Sequence, residues 1–377
     1  AARRARGRVR LAYLSSDFYE HATAYLMTRL FERHDRDRFE VLAVSFGPDD
    51  ASPMRARLTR AFDRFVDIRD LDDAEAARAL RALEIDIAVD LKGYTAGARP
   101  RLLADRPAQV QVSYMGFPGT MGAAHIDYLL ADRWVIPPEA RAFYSEQPVY
   151  LPDSYWVNDE TTAVAERTPS RAEAGLPNDA FVFCCFNNTY KLTPAFFDVW
   201  MRLLARVPGS VLWLLEPTAF AVRNLRGTAA AHGVDPARIV FAPRLARAEH
   251  LARQRLADLF LDTLPVNAHT TTTDALWVGL PVLTCLGSTF VGRVAASMLH
   301  AIGLPELVTR DVADYERRAL AYASDPAALA VVRAKLARHR LTHPLFDSAL
   351  SCRHFEAAYL RMWEMHLRGE APRAFSV

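Results

Sequence analysis

The sequence has 377 residues and is 51% hydrophobic, so it is long enough for two domains with a sizeable core in each. Its 46 lysine and arginine residues nearly balance its 44 aspartate and glutamate residues, and the resulting net charge of +2 excludes the strongly basic proteins that depend on nucleic acid or an anionic membrane. No apolar run approaches the roughly 20 residues of a membrane span and no segment has the pattern of a signal peptide, so we expect a soluble, cytoplasmic protein.

Neither the cysteines nor the N-terminal basic run carries predicted chemistry. Cys184, Cys185, Cys285 and Cys352 show no CxxC spacing and mostly lie among apolar residues. We therefore interpret them as core residues of a reducing compartment, and not as disulfide partners or zinc ligands. The arginine-rich run over residues 3–8 is predicted to be a solvated boundary, not a binding arm.

Strand-like and helix-like segments alternate along the whole chain. In the first half, apolar runs predict strands at 9–14, 39–46, 85–91, 110–114 and 126–130, with a helix over 24–34. In the second half, they predict strands at 181–186, 211–215, 239–241, 259–261 and 282–285. This alternation predicts an α/β fold with parallel sheets. Neither half has a GxGxxG after its first strand, so a nicotinamide or flavin enzyme is not supported.

A loop-like stretch between residues 150 and 177 separates the two halves. We therefore predict a Rossmann-like N-terminal lobe over 1–165 and a second Rossmann-like lobe over 166–350, facing each other across a cleft. The C-terminal segment 351–377 contains an amphipathic stretch, and we expect this helix to pack back on the first lobe.

The most informative segment runs from a predicted strand end at Leu261 through His269 into Thr270 and Thr271, with Asp274 one turn later. Apolar spacing from residue 275 onward predicts a helix, so four threonines stand where this helix begins. The first turn of a helix has N–H groups without partners and carries partial positive charge, which suits a pyrophosphate. The alternative is that one threonine simply caps a core helix.

Several other residues follow predicted strands, where parallel sheets bind ligands. His21 comes after the first strand and is either a general base or a locally hydrogen-bonded cap residue. Lys191, in a strand-end loop with Asn188, suits the neutralisation of phosphate charge better than a merely solvated role. His250 and Arg253, one helical turn apart, could contact a base or a phosphate or could be solvated.

A glycine- and proline-rich turn over residues 116–122 follows the strand that ends at residue 114. Its bare backbone at Gly116, two residues before Pro118, permits close approach by a ligand. The alternative is an ordinary turn at a strand end. No cluster of histidine and cysteine has the spacing of metal ligands, so no metal site is predicted.

Taken together, the segments of the chain resemble the catalytic region of protein O-linked N-acetylglucosamine transferases, and the match is collinear over nearly the whole chain. The segments that carry it are residues 15–18 with His21, 92–100, 116–120, 190–191, 207–215, 269–271 with Asp274, 293–297 and 359–364. The resemblance implies a GT-B architecture and a metal-independent, inverting transfer of N-acetylglucosamine from UDP-GlcNAc to serine or threonine hydroxyls of proteins.

The resemblance also implies roles for the candidate residues, most of them on the second lobe, which binds the sugar nucleotide. Lys191 and the turn formed by His269, Thr270 and Thr271 would hold the diphosphate. Asp274 would bind the ribose. The remaining residues would lie near the uracil (His250 and Arg253), near the donor (Asn188) and close to the point where donor meets acceptor (Gly116 and Pro118). His21, on the acceptor-side lobe, matches a histidine whose role as base is disputed in this family.

The chain departs from the family pattern in several ways. Family members usually carry tetratricopeptide repeats ahead of the catalytic region, and we expect them in the full-length protein although this chain lacks them. The short connector between the lobes, without the large domain that animal members insert there, suggests a bacterial type. Ala22 replaces a proline and Asp86 a histidine of the animal pattern. These changes leave the predicted donor site intact and bear on acceptor choice and turnover rate.

Alternative functions share the fold. A related protein O-fucosyltransferase would use GDP-fucose, and an N-glucosyltransferase would use UDP-glucose. A sugar-nucleotide 2-epimerase would need no protein acceptor, and a non-catalytic UDP-sugar-binding module would bind the donor without releasing UDP.

Overall fold

The computed structural model describes residues 7–377, and the predicted basic run over 3–8 therefore lies largely outside the described residues. Its strands are β1 Val9–Ser15, β2 Phe39–Ser45, β3 Arg64–Asp67, β4 Ile87–Asp90, β5 Val110–Ser113, β6 Tyr128–Ala131, β7 Gln147–Tyr150, β8 Val182–Cys185, β9 Val211–Leu215, β10 Ile239–Ala242, β11 Leu259–Leu261, β12 Val282–Cys285, β13 Val308–Thr309 and β14 Phe375–Ser376. Its α-helices are α1 Ala22–Arg33, α2 Pro53–Ala61, α3 Asp73–Ala82, α4 Arg101–Ala104, α5 Pro194–Arg206, α6 Ala219–Ala231, α7 Arg247–Arg253, α8 Thr270–Trp277, α9 Val294–Ala301, α10 Val312–Ser324, α11 Pro326–His339 and α12 Ser348–Leu367.

The chain divides into two compact units. Unit 1 comprises the described residues up to Thr161 together with Pro344–Val377, and unit 2 comprises Thr162–His343. Each unit is built on one sheet with parallel strand pairing, in the order β14-β7-β6-β5-β4-β1-β2-β3 in unit 1 and β10-β9-β8-β11-β12-β13 in unit 2. The predicted α/β class with parallel sheets is confirmed.

Many strands of the two sheets consist of buried, mostly apolar residues. Strands β4, β5, β6, β8 and β12 are buried at every residue, as expected for parallel strands that have helices on both faces. The core of unit 1 includes one cluster in which Leu14, Leu42, Ile85 and Leu102 pack together. The sheets therefore act as rigid platforms, and the loops at the carboxyl ends of their strands carry the polar residues described below.

Helix α12 is joined to the rest of unit 1 by a buried polar network. Glu356 Oε1 accepts a hydrogen bond from the backbone amide of Asp35 (2.7 Å) and lies 3.0 Å from His34 Nδ1. The other ring nitrogen of His34 lies 2.8 Å from the Tyr13 hydroxyl, and Cys352 Sγ lies 3.5 Å from Glu356 Oε1. Burial lowers the pKa of the imidazole, and the carboxylate opposes this shift. His34, Cys352 and Glu356 lie close enough together to be potential metal ligands. The His34 and Cys352 side chains, however, already contact Glu356 Oε1 at hydrogen-bonding distances.

Replacing Glu356 by alanine is expected to reduce the free energy of unfolding by about 2 to 4 kcal/mol, because a buried imidazole and a backbone amide both lose their acceptor. Urea denaturation would measure this loss. Glu364→Ala, on the exposed part of the same helix with only a 3.9 Å contact to Arg368, is the matched control and should cost less than about 0.5 kcal/mol. Equal losses for the two variants would contradict a stabilising role of the network.

Candidate active site

The candidate residues of unit 2 surround the turn between β11 and α8, and a buried carboxylate holds this turn. Asp262 Oδ1 accepts from the backbone amides of Thr263 (2.7 Å) and Ala268 (2.5 Å), while Oδ2 accepts from the hydroxyl of Thr284 on β12 (2.6 Å). Burial raises the pKa of Asp262 to about 6, although these bonds oppose the shift. One side chain thus fixes both ends of the turn that leads into the helix.

Helix α8 begins at Thr270, so the threonines stand at its start, as the sequence predicts. The threonines form its first turn, and the preceding residue, His269, accepts from the amides of Thr272 (3.0 Å) and Thr273 (3.3 Å) through its backbone carbonyl. Within the described part of the chain, the amides of Thr270 and Thr271 have no protein acceptor. These two N–H groups form the part of the helix terminus that can bind an anion.

The threonine hydroxyls at the start of α8 are mostly engaged within the protein. Thr271 Oγ1 donates to Asn187 Oδ1, and Asn187 Nδ2 donates to Thr263 Oγ1 at 2.9 Å. The hydroxyls of Thr272 and Thr273 point inward, to a backbone carbonyl and a methionine sulfur. The anion site therefore rests on backbone amides more than on hydroxyls. Asn187, which the sequence analysis missed, connects the loop after β8 to this turn.

Lys191 lies beside the same turn, at the end of the short 3-10 helix Thr189–Lys191 that follows β8. Its ammonium donates to the backbone carbonyl of Asn267 at 2.7 Å. Burial lowers the pKa of Lys191, and the nearby Asp262 carboxylate opposes this shift. Asn188, by contrast, is exposed, and its backbone carbonyl accepts from the Lys191 amide at 3.0 Å.

Asp274 is buried on α8 and forms an ion pair with Arg247 on α7, with 2.8 Å between Oδ1 and Nη2. Burial raises the pKa of the carboxylate, and the guanidinium opposes this shift. The predicted ribose contact would therefore involve a carboxylate that already has a partner. The sequence analysis did not single out Arg247, since it lies 27 positions from Asp274 and looks solvated in its own helix.

His250 and Arg253 share one face of α7, as their spacing indicates. Arg253 Nε donates to His250 Nδ1 at 3.1 Å, and Arg253 Nη2 lies 2.7 Å from the same ring nitrogen. Arg253 Nη1 donates to the backbone carbonyl of Pro243 at 2.5 Å. Phe186 lies against His250, with 5.1 Å between ring centroids. Burial, then the charge of Arg253, lowers the pKa of His250 to about 3. A neutral ring whose Nδ1 accepts carries its proton on Nε2, so His250 presents a hydrogen-bond donor.

His269 is also neutral. Burial and the charge of Lys191 lower its pKa to about 3, and its Nε2 lies 3.2 Å from the carbonyl of Val291. The positive charge beside the two free amides of α8 therefore comes from Lys191 and not from a histidine. Together these groups form a partly buried, electropositive cradle in unit 2.

In unit 1, His21 is the N-cap residue of α1. Its Nδ1 accepts from the Thr23 amide at 3.2 Å and lies 3.5 Å from Asp17 Oδ2. Burial lowers its pKa, and the charges of Asp17 and Lys92 act in opposite directions on it. The local hydrogen bond predicted as one alternative is therefore present, but the side chain is still 38% exposed and can contact a ligand.

Gly116 has a packing reason for being glycine. A Cβ at this position would lie 2.1 Å from the carbonyl oxygen of Leu91, at the end of β4, so any side chain would force the two loops apart. Pro118 follows in the same turn and is partly exposed. The predicted role of this turn near the meeting point of donor and acceptor stays a prediction.

The sequence-predicted residues thus form two groups. Lys191, Thr270, Thr271, His269 and Asp274 surround one turn of unit 2, with His250 and Arg253 on the neighbouring helix α7. His21, Gly116 and Pro118 belong to unit 1. No helix within residues 7–377 combines the length and the apolar character needed to cross a membrane.

Comparison with known proteins gives consistent matches. The family model described as glycosyl transferase family 41 matches residues 1–168 and 160–355. An Arabidopsis thaliana protein named as a probable UDP-N-acetylglucosamine–peptide N-acetylglucosaminyltransferase, SEC, is 39% identical over 98% of this chain, and a Caenorhabditis elegans enzyme of the same kind is 29% identical over 96%. The chain spans only 38% and 41%, respectively, of the length of these curated relatives.

A solved structure gives the same result. A variant of the O-GlcNAc transferase of Thermobaculum terrenum matches with a TM-score of 0.88 and 32% identity, over 96% of this chain and 69% of that one. This match confirms the GT-B class and the two Rossmann-like units. Since both the sequence model and the structure agree over most of its length, the chain belongs to glycosyl transferase family 41.

Proposed function

We propose that this chain transfers N-acetylglucosamine from UDP-GlcNAc to serine or threonine hydroxyls of proteins, with inversion at the sugar and without a metal ion. The single observation that carries the proposal is the cradle of unit 2, in which the Lys191 ammonium lies beside the free amides of Thr270 and Thr271. The names of the relatives, which are N-acetylglucosaminyltransferases that use UDP-N-acetylglucosamine and peptides, support the choice of donor and acceptor.

The cradle matches the charge that the reaction develops. As the glycosidic bond breaks, negative charge builds up on the phosphates of the leaving UDP. A lysine ammonium and a helix N-terminus stabilise such charge where they are fixed in advance and partly shielded from water. Lys191 is held by the Asn267 carbonyl and the turn is held by Asp262, so neither has to reorganise during the reaction.

The remaining residues of unit 2 are assigned to the nucleoside. Asp274 and Arg247 are assigned to the ribose, because the pair can offer an acceptor and a donor to hydroxyl groups. His250, with a protonated Nε2 and Phe186 behind it, is assigned to the uracil, whose carbonyl oxygens accept hydrogen bonds. Arg253 then acts by orienting His250.

The acceptor side is assigned to unit 1, with His21 as the residue that contacts the acceptor hydroxyl or the donor sugar. We also propose that the full-length protein carries tetratricopeptide repeats that select protein acceptors, and that it is a cytoplasmic enzyme of bacterial type. The partial coverage of the curated relatives is compatible with additional domains.

Calorimetric titration in EDTA with UDP, UDP-GlcNAc, UDP-glucose and GDP tests the donor. We expect micromolar binding of UDP and UDP-GlcNAc without metal. Incubation with UDP-GlcNAc and serine- or threonine-containing peptides should then release UDP, and NMR of the product should show a β-linked sugar from the α-linked donor.

Each alternative gives a different result in the same experiments. Binding of GDP without UDP would replace the proposal by fucosyl transfer, and preferential turnover of UDP-glucose would indicate glucosyl transfer. Conversion of UDP-GlcNAc without any acceptor would indicate an epimerase. Tight binding without release of UDP would identify a non-catalytic module.

A further inference from the structure

A buried ion pair stands next to His21 at the carboxyl ends of β1 and β4. Lys92 Nζ lies 2.7 Å from Asp17 Oδ2, and the two side chains are only 5% and 8% exposed. The same carboxylate oxygen lies 3.5 Å from His21 Nδ1 and 3.5 Å from the hydroxyl of Thr23. Groups from the loops after β1 and β4 and from the start of α1 therefore share one oxygen atom.

The use of lysine at this position is unusual for this chain. Only three of its 46 basic residues are lysines, and the others are arginines. One of the three, Lys335, forms a partly exposed ion pair with Glu306 at 2.8 Å, whereas Lys191 belongs to the donor cradle and Lys92 is buried. Because a buried ion pair gives little stability compared with apolar residues of similar size, stability alone does not explain Lys92.

We propose that the Lys92–Asp17 pair is a positioning element that keeps His21 neutral, with the imidazole proton on Nε2. The ammonium occupies Asp17 Oδ2 at hydrogen-bonding distance, which leaves His21 Nδ1 beyond such a distance. Nδ1 accepts from the Thr23 amide instead, and only an unprotonated nitrogen can do so. Lys92 thus acts on His21 through Asp17.

Without the Lys92 ammonium, the preference of His21 for its neutral form would reverse. An uncompensated carboxylate 3.5 Å from Nδ1 would favour an imidazolium that donates to Asp17 and gives up the bond from Thr23. Other charged or titratable groups in this part of the described chain are Tyr19, with 5.6 Å between its ring centroid and that of His21, and Glu20, which accepts from the Tyr25 hydroxyl. Asp50 accepts from the Glu20 amide, and the buried Asp90 accepts from the Lys92 amide. None of these residues is replaced in the variants proposed below.

The consequence for chemistry is a donor role. A neutral His21 with a protonated Nε2 can donate a hydrogen bond to an oxygen of the acceptor or the sugar, but it cannot take up a proton at that atom. This consequence rests on the proposed function, whereas the ionisation of His21 can be measured without any turnover.

The first test follows the His21 ring protons by NMR as a function of pH in the intact chain, with His21→Gln identifying the signal. In Lys92→Met the titration midpoint should move to higher pH than in the wild type. In Lys92→Arg the midpoint should stay near the wild-type value. In the double variant Asp17→Asn/Lys92→Met the midpoint should return towards the wild-type value. If Lys92→Met fails to fold, Lys92→Gln, which keeps a donor for Asp17 without the charge, replaces it.

An unchanged midpoint in a folded Lys92→Met or Lys92→Gln variant would overturn the proposal, as would a double variant that titrates like the single one. The second test is turnover of the wild type with UDP-GlcNAc and a serine- or threonine-containing peptide, which checks the proposed function separately from the ionisation of His21. If the NMR shifts appear but the wild type shows no glycosyl transfer, the proposed function fails and the positioning role of Lys92 stands.

Discussion

Replacing Lys191 by methionine is expected to reduce kcat for sugar transfer from UDP-GlcNAc about 100- to 1,000-fold, the usual effect of removing one preorganised group that stabilises developing charge. Methionine keeps the length of the side chain, so the loop after β8 loses the ammonium but little packing. The loss should appear equally in hydrolysis of the donor without acceptor, because the charge on the leaving UDP develops in both reactions. Stopped assays of UDP release would measure both rates.

The matched control is Lys335→Met in the same unit, where the lysine forms only a partly exposed ion pair with Glu306. We expect this variant to keep wild-type rates and a melting temperature close to the wild-type value. Lys191→Met should also unfold near the wild-type temperature in the absence of UDP. A Lys191→Met enzyme with more than about a third of wild-type turnover would show that the cradle does not stabilise the leaving group in this way.

Replacing Asp262 by alanine is expected to lower the free energy of unfolding by about 3 to 5 kcal/mol, because two backbone amides and the Thr284 hydroxyl lose a buried acceptor at once. The turn that carries His269 and the start of α8 should lose its fixed shape, so UDP binding should weaken by at least about tenfold even where the protein is still folded. Chemical denaturation and calorimetric titration at low temperature would give the two quantities.

Asp198→Ala serves as the comparison, since this aspartate lies on the surface of α5, where its partly exposed carboxylate lies 3.1 Å from His232 Nε2. It should cost less than about 0.5 kcal/mol and leave the affinity for UDP unchanged. Asp262→Asn separates charge from hydrogen bonding, because its carbonyl oxygen can still accept from one end of the turn. Normal UDP affinity in a folded Asp262→Ala protein would disprove the link between this carboxylate and the donor site.

The sequence predicts the buried strands well and the exposed ones poorly. The bounds of β9, β11 and β12 agree with the prediction at both ends. β9 and β11 are continuous apolar runs that stop at an acidic residue, and β12 is a mostly apolar segment that starts directly after Pro281. Strand β3 was missed because half of its residues are exposed at the sheet edge, so its sequence has no apolar pattern. Strand β14 was missed because two residues carry no periodicity, and only pairing with β7 makes them a strand.

The candidate site shows the same division between local and long-range information. The position of Lys191 and of the α8 N-terminus could be predicted because each is marked by a strand end followed by a helix start. The ion pair between Arg247 and Asp274 could not, because each residue looks solvated in its own segment and only the fold brings them together. For the same reason, the sequence suggested Asn188, whereas Asn187 is the neighbour whose amide points into the turn.

The scarcity of lysine has a practical consequence for chemical labelling. Among the three lysines, Lys92 is buried against its carboxylate partner, whereas Lys335 and Lys191 are partly exposed. The Lys191 ammonium donates to the Asn267 carbonyl, so a small amount of amine-reactive reagent should attach a fluorophore or surface linker mainly at Lys335. With excess reagent, slower acylation of Lys191 in the presence of UDP would report donor occupancy at a single, identifiable side chain.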